Sequence, residues 1–367
     1  MAKQRRTGPL VALGLGAALA WAAKDIPRQM GARAKGARLT RMQQSPQYAD
    51  GKFHNSVPAS EVALASAPRL LAAALTGRDR RHPHVPIPLV RPETGGDPQG
   101  LYVTWYGHSS ALIEIEGRRV LVDPVWSERC SPSRLSGPKR LHRPPVALRE
   151  LPPLDVVLIS HDHYDHLDME SIQNLVDLQA APFLVPLGVG AHLERWGVPP
   201  TRIVELDWTE RTSVAGLEFI ATPARHFSGR GFTRDETLWS SWVIAGPTRK
   251  AFYSGDTGYF PGFAEIGAEH GPFDVSLVQI GAYGDAWPDI HMVPEDGVAT
   301  HIDVRAGLLV PVHWGTFNLA LHDWAEPADR VWAEAKARDV RLAVPRPGER
   351  VDVDDPPPVD GWWQEVA

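Results

Sequence analysis

The run His161-Asp162-His163-Tyr164-Asp165-His166 gathers side chains that bind metal ions. Neutral imidazole and carboxylate groups are common ligands of zinc-like ions. The run follows the apolar segment 155–160, which predicts a buried strand, and a helix is predicted to begin near Asp168. Charged groups beside a buried strand need a partner that offsets their desolvation, and a metal ion is such a partner. The alternative for this run is a solvated polar loop.

Within the run, the spacing predicts two ligand groups. His161 and His163 are two residues apart in an extended segment, so both side chains point to the same side and can hold one ion. Asp165 and His166 lie just beyond and can turn toward a second ion. Two ions need more ligands than this run supplies, so further ligands must come from elsewhere in the chain.

Three metal-binding side chains elsewhere each follow an apolar segment. They are His226 after the predicted strand 217–221, Asp256 after 250–254 and His313 after 307–312. Open sheets place their sites at the carboxyl ends of strands, so these side chains are expected to meet the run. Each one alone is more often a structural residue than a ligand, and their matched placement favours ligation.

The rest of the chain from Leu101 alternates short apolar segments with turns and amphipathic stretches. Strands are predicted at 101–106, 111–116, 118–122, 155–160, 202–206, 217–221, 239–245, 250–254, 274–280 and 308–312. Helices are predicted at about 168–179, 188–196, 261–269, 294–303 and 323–338. Early hairpins followed by alternating strands and helices are typical of a layered α/β protein.

Composition excludes several classes of protein. The 367 residues include 43% hydrophobic residues, enough for a sizeable core, and the net charge of -6 argues against a nucleic-acid partner. The lone cysteine, Cys130, cannot form a disulfide within the chain or an iron–sulfur site.

The N-terminal segment has the pattern of a targeting or anchoring sequence. Basic residues flank the apolar run 9–23, which is shorter than the ~20 residues that cross a bilayer as a helix. We therefore expect association with a membrane through this run; an apolar helix packed on the body, in a soluble cytoplasmic protein, is the alternative. The predicted domains are a targeting segment (1–40), an extension and linker with a helix at 60–76 (41–100), a catalytic domain (101–350) and an irregular tail (351–367).

The ordered motifs resemble those of the metallo-β-lactamase-fold superfamily, in particular the branch of phospholipases D that hydrolyse N-acyl-phosphatidylethanolamine. The similarity spans roughly residues 45–340. The metal motif indicates the superfamily, and the branch rests on flanking segments that include 105–109, 122–125, 185–188, 205–208, 238–242, 254–259, 271–274, 280–283 and 313–317.

This resemblance implies a four-layer αβ/βα sandwich with two metal ions at one edge of its two sheets. It implies that His161, His163 and His226 bind one zinc ion. It assigns Asp165, His166 and His313 to the other zinc ion, and Asp256 to both. Zinc is the favoured metal, with manganese and iron as alternatives.

The resemblance also implies a substrate. The predicted reaction is hydrolysis of N-acyl-phosphatidylethanolamine or a related phospholipid, by water activated between two ions, to N-acylethanolamine and phosphatidic acid. Asp165 and His291 are the predicted proton donors. Tyr164, His291 and Arg230 are the predicted substrate-binding residues, although Ile290 departs from the glutamine of the vertebrate enzyme.

Other interpretations remain open at this point. His108 and Asp123 either orient metal ligands or are satisfied buried polar groups. A lactonase or a soluble phosphodiesterase on the same fold is the rival enzyme, and a non-catalytic, membrane-tethered zinc protein is the rival outside enzymes. The predicted partners are a phosphodiester substrate and a membrane surface, with a homodimer as an alternative assembly.

Overall fold

The computed structural model describes residues 26–59, 79–92 and 99–367. The N-terminal apolar run and the helix predicted at 60–76 lie outside the described residues. Among the helices that are described, none has both the length and the apolar character needed to cross a membrane.

The larger sheet has seven strands, and its strands are buried along most of their length. They are β3 (Leu101–Gly107), β4 (Ser110–Ile115), β5 (Arg118–Val122), β6 (Val156–Leu158), β7 (Phe183–Pro186), β8 (Ile203–Leu206) and β15 (Arg350–Asp352). Their order is β15-β3-β4-β5-β6-β7-β8. The hairpins at one side are antiparallel, whereas β5 through β8 are parallel.

The second sheet has six strands in the order β14-β13-β12-β11-β10-β9. They are β9 (Arg211–Val214), β10 (Leu217–Thr222), β11 (Ser241–Ala245), β12 (Lys250–Tyr253), β13 (Phe273–Gln279) and β14 (Ala306–Val312). The last three are parallel, so their carboxyl ends lie at one edge.

Helices cover the outer faces of both sheets. They are α3 (Met169–Leu178), α4 (Gly190–Arg195), α5 (Gly262–His270), α6 (Pro294–Asp303) and α7 (Glu326–Ala337). Ile172 and Leu175 of α3 pack on Val157 and Phe183 of the larger sheet. A continuous core that joins both sheets also takes in residues of the last three helices. Strands covered on both faces are largely apolar, as are the inner strands of both sheets here. The molecule is therefore the expected four-layer α/β sandwich.

The extension before the sheets packs against the sandwich. It contains α1 (Ile26–Gln29), α2 (Gly36–Gln43) and a two-stranded hairpin of β1 (Tyr48–Ala49) and β2 (Lys52–Phe53). Arg38 pairs with Glu194 at 2.9 Å and Glu205 at 2.5 Å, and Trp196 Nε1 donates to the carbonyl of Arg28. This part of the extension is thus joined to α4 and β8.

Most of the C-terminal segment 351–367 is irregular, and the segment packs on the sandwich. β15 pairs antiparallel with β3, and Trp362 and Trp363 are buried beneath α7 and the sheets. The indole Nε1 of Trp363 donates to Asp329 of α7 at 2.9 Å. The proline-rich stretch that precedes the tryptophans leads these two large apolar side chains into the core.

Candidate metal centre

The metal-binding run lies in the loop between β6 and α3, and both ends of this loop are fixed. At its start, the amide of Ser160 donates to Asp123 at 2.7 Å. At its end, Asp168 caps α3 by accepting from the amide of Ser171, and it also accepts from the hydroxyl of Ser127. A side-chain cap of this kind stabilises the first turn of a helix. The loop is therefore positioned by a buried carboxylate and a helix cap.

Three imidazoles form the first group of ligand atoms. Nε2 of His161 lies 2.8 Å from Nδ1 of His163, which in turn lies 3.2 Å from Nε2 of His226. Nδ1 of His226 lies 2.9 Å from the carbonyl of Ile290 and so carries the proton of that ring. The lone pair on its Nε2 consequently points at the other two rings. Such lone pairs repel one another unless a cation lies between them.

The second group combines imidazole and carboxylate. Oδ2 of Asp165 lies 3.2 Å from Nε2 of His313 and 3.5 Å from Nε2 of His166. Nδ1 of His166 contacts Oδ2 of Asp123 at 2.6 Å, so its Nε2 is directed at the group. His108 completes this arrangement, with its Nε2 2.8 Å from Asp165.

Asp256 lies between the two groups. Its Oδ2 is 3.1 Å from His166 and 3.0 Å from His313, both at Nε2, and 3.9 Å from Nε2 of both His161 and His226. One carboxylate oxygen thus comes within 4 Å of both groups.

A glycine allows this close approach of Asp256. Gly255 has a φ of 56°, and a Cβ there would lie 2.8 Å from Cβ of Ser160 and 2.9 Å from the carbonyl oxygen of Ser240. Only glycine adopts this backbone without strain in so little space. The end of β12 can therefore press against the start of the metal-binding loop.

Burial and neighbouring charges shift the pKa values of these histidines in different directions. Burial, with neighbouring imidazoles, holds the pKa of His161 well below its ordinary value. Burial also opposes charge on His313, but the carboxylates of Asp256 and Asp165 outweigh it and raise the pKa of His313 to about 9. The same carboxylates, with Asp123, raise the pKa of His166 well above its ordinary value. The carboxylates thus favour positive charge at the second group, which is also where a metal cation would bind.

Buried ligand atoms without hydrogen-bond partners are a second reason to expect a metal ion here. Nε2 of His166 and Oδ1 of Asp256 are buried and have no hydrogen-bond partner within the described chain. Buried polar atoms without partners are uncommon and call for an explanation, which a cation between the groups provides. Imidazole and carboxylate ligands without thiolates suit zinc, manganese and iron.

Three residues in this region have strained backbones. His108, Asp123 and His313 have φ values of 54°, 38° and 64°. Non-glycine residues at positive φ cost about 1–3 kcal/mol each and persist where the surroundings fix them. The amide of His313 donates to the carbonyl of His108 at 2.9 Å, and the amide of His108 donates to Thr316. The strained segments hold one another in place.

The seven predicted metal ligands therefore lie together. His108 contacts Asp165, and Asp123 contacts His166. Sequence reasoning left His108 and Asp123 undecided. It missed Ser160, whose hydroxyl contacts Nδ1 of His161 at 2.9 Å, and Tyr253, whose hydroxyl donates to Asp123. The serine directly before the run was a usable signal, whereas nothing local marks Tyr253.

The other predicted site residues have different surroundings. His291 lies beside the centre, with Nδ1 3.9 Å from Asp256 Oδ2 and no hydrogen-bond partner for that nitrogen. Tyr164 is half-buried, and its hydroxyl donates to the carbonyl of Arg230 at 2.6 Å.

Arg230 lies behind the metal-binding loop, and its predicted contact with substrate stays a prediction. Its side chain is 5% exposed, and its guanidinium donates to the carbonyls of Gln29, Asp162 and Leu167. The guanidinium also stacks on the ring of Tyr164 at 4.0 Å. These contacts make Arg230 a support of the metal-binding loop.

Residues 118–314 match the family described as the beta-lactamase superfamily domain. The chain belongs to this superfamily. Its matched region contains the seven predicted metal ligands, whereas His108 lies before it.

Several relatives are similar to this chain over much of its length. The N-acyl-phosphatidylethanolamine-hydrolyzing phospholipase D 1 of Caenorhabditis elegans is 35% identical over 253 residues, which cover 65% of this chain and 71% of that protein. The mitochondrial enzyme of the same description from Saccharomyces cerevisiae is 32% identical, covering 67% of this chain and 54% of that protein. An uncharacterised protein of Mycobacterium tuberculosis is 53% identical, covering 96% of both chains.

Solved structures share the fold. The metallo hydrolase Igni18 from Ignicoccus hospitalis has a TM-score of 0.52 at 22% identity, covering 68% of this chain and 97% of that chain. An isothiocyanate hydrolase from Delia radicum gut bacteria has a TM-score of 0.53 at 20% identity, covering 68% and 98%. The same sandwich therefore hosts different reactions.

Proposed function

We propose that the protein is a zinc-dependent phosphodiesterase of phospholipase D type. Its proposed substrate is N-acyl-phosphatidylethanolamine or a related phospholipid, and its products are an N-acylethanolamine and phosphatidic acid. The observation that carries the proposal is the position of Asp256, whose Oδ2 lies 3.0 Å from His313 and 3.9 Å from His226. A carboxylate within reach of two ligand groups suits a pair of ions, whereas a structural zinc site closes with four ligands.

The named relatives support the choice of substrate. The worm protein, of which this chain covers 71%, and the yeast protein both hydrolyse N-acyl-phosphatidylethanolamine according to their names. The run 161–166, His226, Asp256 and His313 lie within residues 118–314, the region that matches the superfamily. A phosphodiester also suits the centre, because paired ions supply Lewis-acid charge to a phosphoryl group and lower the pKa of water.

The protein's own residues prepare the centre for this chemistry. Asp123 and the carbonyl of Ile290 fix the tautomers of His166 and His226, so both rings offer a lone pair. We place His291 beside the leaving alcohol as a hydrogen-bonding group, because burial lowers the pKa of its imidazole to about 3 and favours the neutral ring. Its Nδ1 makes no hydrogen bond, whereas Asp165, the other predicted donor, is engaged by His108 and His313.

A cavity next to His291 is the proposed place for the leaving alcohol. It has a volume of about 530 Å³, and its walls include Tyr283, Trp287 and Leu321. The same lining also includes the charged side chains of Asp285, Asp296, Glu326 and Arg330. Ligand sites combine apolar walls with polar groups that fix orientation. The apolar residues of this lining suit the acyl chain of the alcohol, and the polar residues suit its amide and hydroxyl groups.

Turnover of a defined panel tests the proposal. Purified protein with zinc is given N-acyl-phosphatidylethanolamine, phosphatidylcholine, a soluble bis-aryl phosphodiester and an acyl lactone. We expect release of N-acylethanolamine and phosphatidic acid, lost with a chelator and in Asp256→Asn, and kept in Asp177→Asn, a matched change on the exposed face of α3. Turnover of the lactone alone would assign the rival activity, and full activity without metal would refute the proposal.

A further inference from the structure

A second cavity, of about 570 Å³, is formed by the segments 138–141 and 318–321 together with Arg81, His82 and Trp287. Trp287 and Leu321 also line the cavity next to His291, so the two cavities share part of their walls. The residues that we assign to the metal centre do not line this second cavity. It can therefore be tested as a site separate from the metal ions.

Arg140 is the notable side chain in this cavity, because it is buried without a counter-ion. It is 8% exposed, and no carboxylate in the described part of the chain lies within ion-pair distance. Its Nη1 donates to the carbonyl of Val125 at 2.7 Å, and its Nε donates to that of His142 at 3.2 Å. The other terminal nitrogen, Nη2, makes no hydrogen bond to the described residues.

The desolvation of this guanidinium is substantial. Burial lowers the pKa of Arg140 to about 10, although Asp168 acts in the opposite direction. Carbonyl oxygens and the ring of Phe317, whose centroid is 5.2 Å from Cζ, are its immediate partners. A buried cation held only by neutral groups is costly unless an anion joins it.

The rest of the lining has the same sign of charge. The titratable groups of the cavity are those of Arg81, His82, Lys139 and Arg140, and none of its lining residues is Asp or Glu. Arg81 is 7% exposed. Lys139, at the rim, pairs with Glu128 at 2.7 Å. Arg81 and His82 have interaction partners of their own, so Arg140 is the basic side chain of this lining that lacks a counter-ion among the described residues.

Apolar side chains form the remaining walls. They are Pro138, Leu141, Trp287, Leu319, Ala320 and Leu321. A ligand that pairs with the guanidinium would place its remaining atoms against these side chains. Apolar walls around a small number of charged groups are what an amphiphilic ligand requires.

We propose that this cavity binds an oxyanion carried on an apolar chain, such as the phosphomonoester of a phosphatidic acid. The oxyanion accepts hydrogen bonds from Arg140, and the chain lies along Leu319 and Leu321. Charge-assisted hydrogen bonds to a guanidinium are among the strong ones. The proposal stands on the cavity alone and does not depend on what the metal centre hydrolyses.

Calorimetric titration of the full chain with zinc tests the proposal. The probes are dihexanoyl phosphatidate, dihexanoyl phosphatidylcholine and inorganic phosphate, all below micelle-forming concentrations. We expect the phosphatidate to bind at least about tenfold more tightly than either other probe, as one added charge-assisted contact would give. Equal affinity for phosphatidylcholine would overturn the role of charge, and equal affinity for inorganic phosphate would overturn the role of the chain.

Variants locate the binding. Arg140→Gln removes the charge of the guanidinium. Leu319→Glu leaves Arg140 in place but adds a carboxylate to the wall of the cavity. The second variant tests the proposal if Arg140→Gln does not fold. Both should weaken phosphatidate binding by about tenfold or more. The control, Arg134→Gln, changes an arginine outside the cavity that pairs with Glu170. Binding that is unchanged in both cavity variants and lost in Asp256→Asn would place the lipid at the metal centre and refute the proposal.

Discussion

Oδ2 of Asp123 lies 2.6 Å from Nδ1 of His166, although the two residues are 43 positions apart. The same carboxylate accepts hydrogen bonds from the amide of Ser160 and the hydroxyl of Tyr253. It therefore joins β5, the start of the metal-binding loop and β12. One buried side chain orients a ligand and fixes the loop that carries it.

Asp123→Asn should lower zinc affinity by about 10–100-fold, the usual effect of removing a carboxylate behind a ligating histidine. Asparagine tolerates the φ of 38° at this position, so the backbone is retained. Competition with a fluorescent chelator measures the affinity. Asp177→Asn is the matched control, and an affinity equal to that of the control would contradict the proposed orienting role.

Single substitutions should separate the two ligand groups. His226→Ala and His313→Ala should each reduce the bound metal from about two ions per chain to about one, because each removes a ligand from one group only. Elemental analysis of the purified proteins measures the content. His54→Ala, at an exposed position, should retain the full content. If both ligand variants also kept it, the assignment of groups would be wrong.

Metal removal should destabilise the fold. Without cations, the buried atoms Nε2 of His166 and Oδ1 of Asp256 have no partner. Zinc that binds only the folded state should restore about 2.7 kcal/mol at a free concentration of 100 times Kd. Thermal unfolding with chelator and after zinc is added back measures the difference. Equal Tm values in both samples would show that the centre does not bind zinc.

Arg230→Met should destabilise the protein without raising KM. The change leaves the carbonyls of Gln29, Asp162 and Leu167 without their donor, at a cost of about 2–4 kcal/mol. Urea unfolding measures the stability, and Arg134→Met is the matched surface control. A raised KM at unchanged stability would support the substrate-binding role that the sequence suggested.

Trp363→Ala should reduce the free energy of unfolding by about 3–5 kcal/mol, as deletion of a large buried aromatic side chain does. The indole is fully buried and packs on Trp332 at 5.5 Å between ring centroids. Denaturant unfolding measures the loss, with Glu365→Ala at the exposed neighbouring turn as the control. A loss below about 0.5 kcal/mol, the range of ordinary surface changes, would contradict the packing of this segment on the core.

Much of the candidate site was predictable because short sequence patterns mark its ligands. Two patterns were enough to predict that these side chains lie close together. They are the run 161–166 and the placement of His226, Asp256 and His313 after apolar strands. The contact of Asp123 with His166 was not predictable in the same way, since it depends on the pairing of β5 with β6. The burial of Arg230 depends on carbonyls from three distant segments.

Some elements were predicted with close bounds, whereas others were missed. The helix expected at 294–303 is observed as Pro294–Asp303, whereas the strands Phe183–Pro186 and Arg211–Val214 were not expected. The first of these ends in proline, and the second carries polar residues at the edge of its sheet. Their place is set by pairing with neighbouring strands rather than by local sequence.

The residues just before α2 also have a practical consequence. The amide of Ala32 donates to Nδ1 of His192, whose Nε2 lies 3.3 Å from Asp162, inside the metal-binding run. Arg230 and Trp196 bind the carbonyls of Gln29 and Arg28. A protease that cuts ahead of Gly36 would sever these tethers while sparing every ligand. Protein that has lost these residues by proteolysis should therefore bind metal poorly. The intact mass of an inactive sample should be measured before its inactivity is attributed to the metal centre.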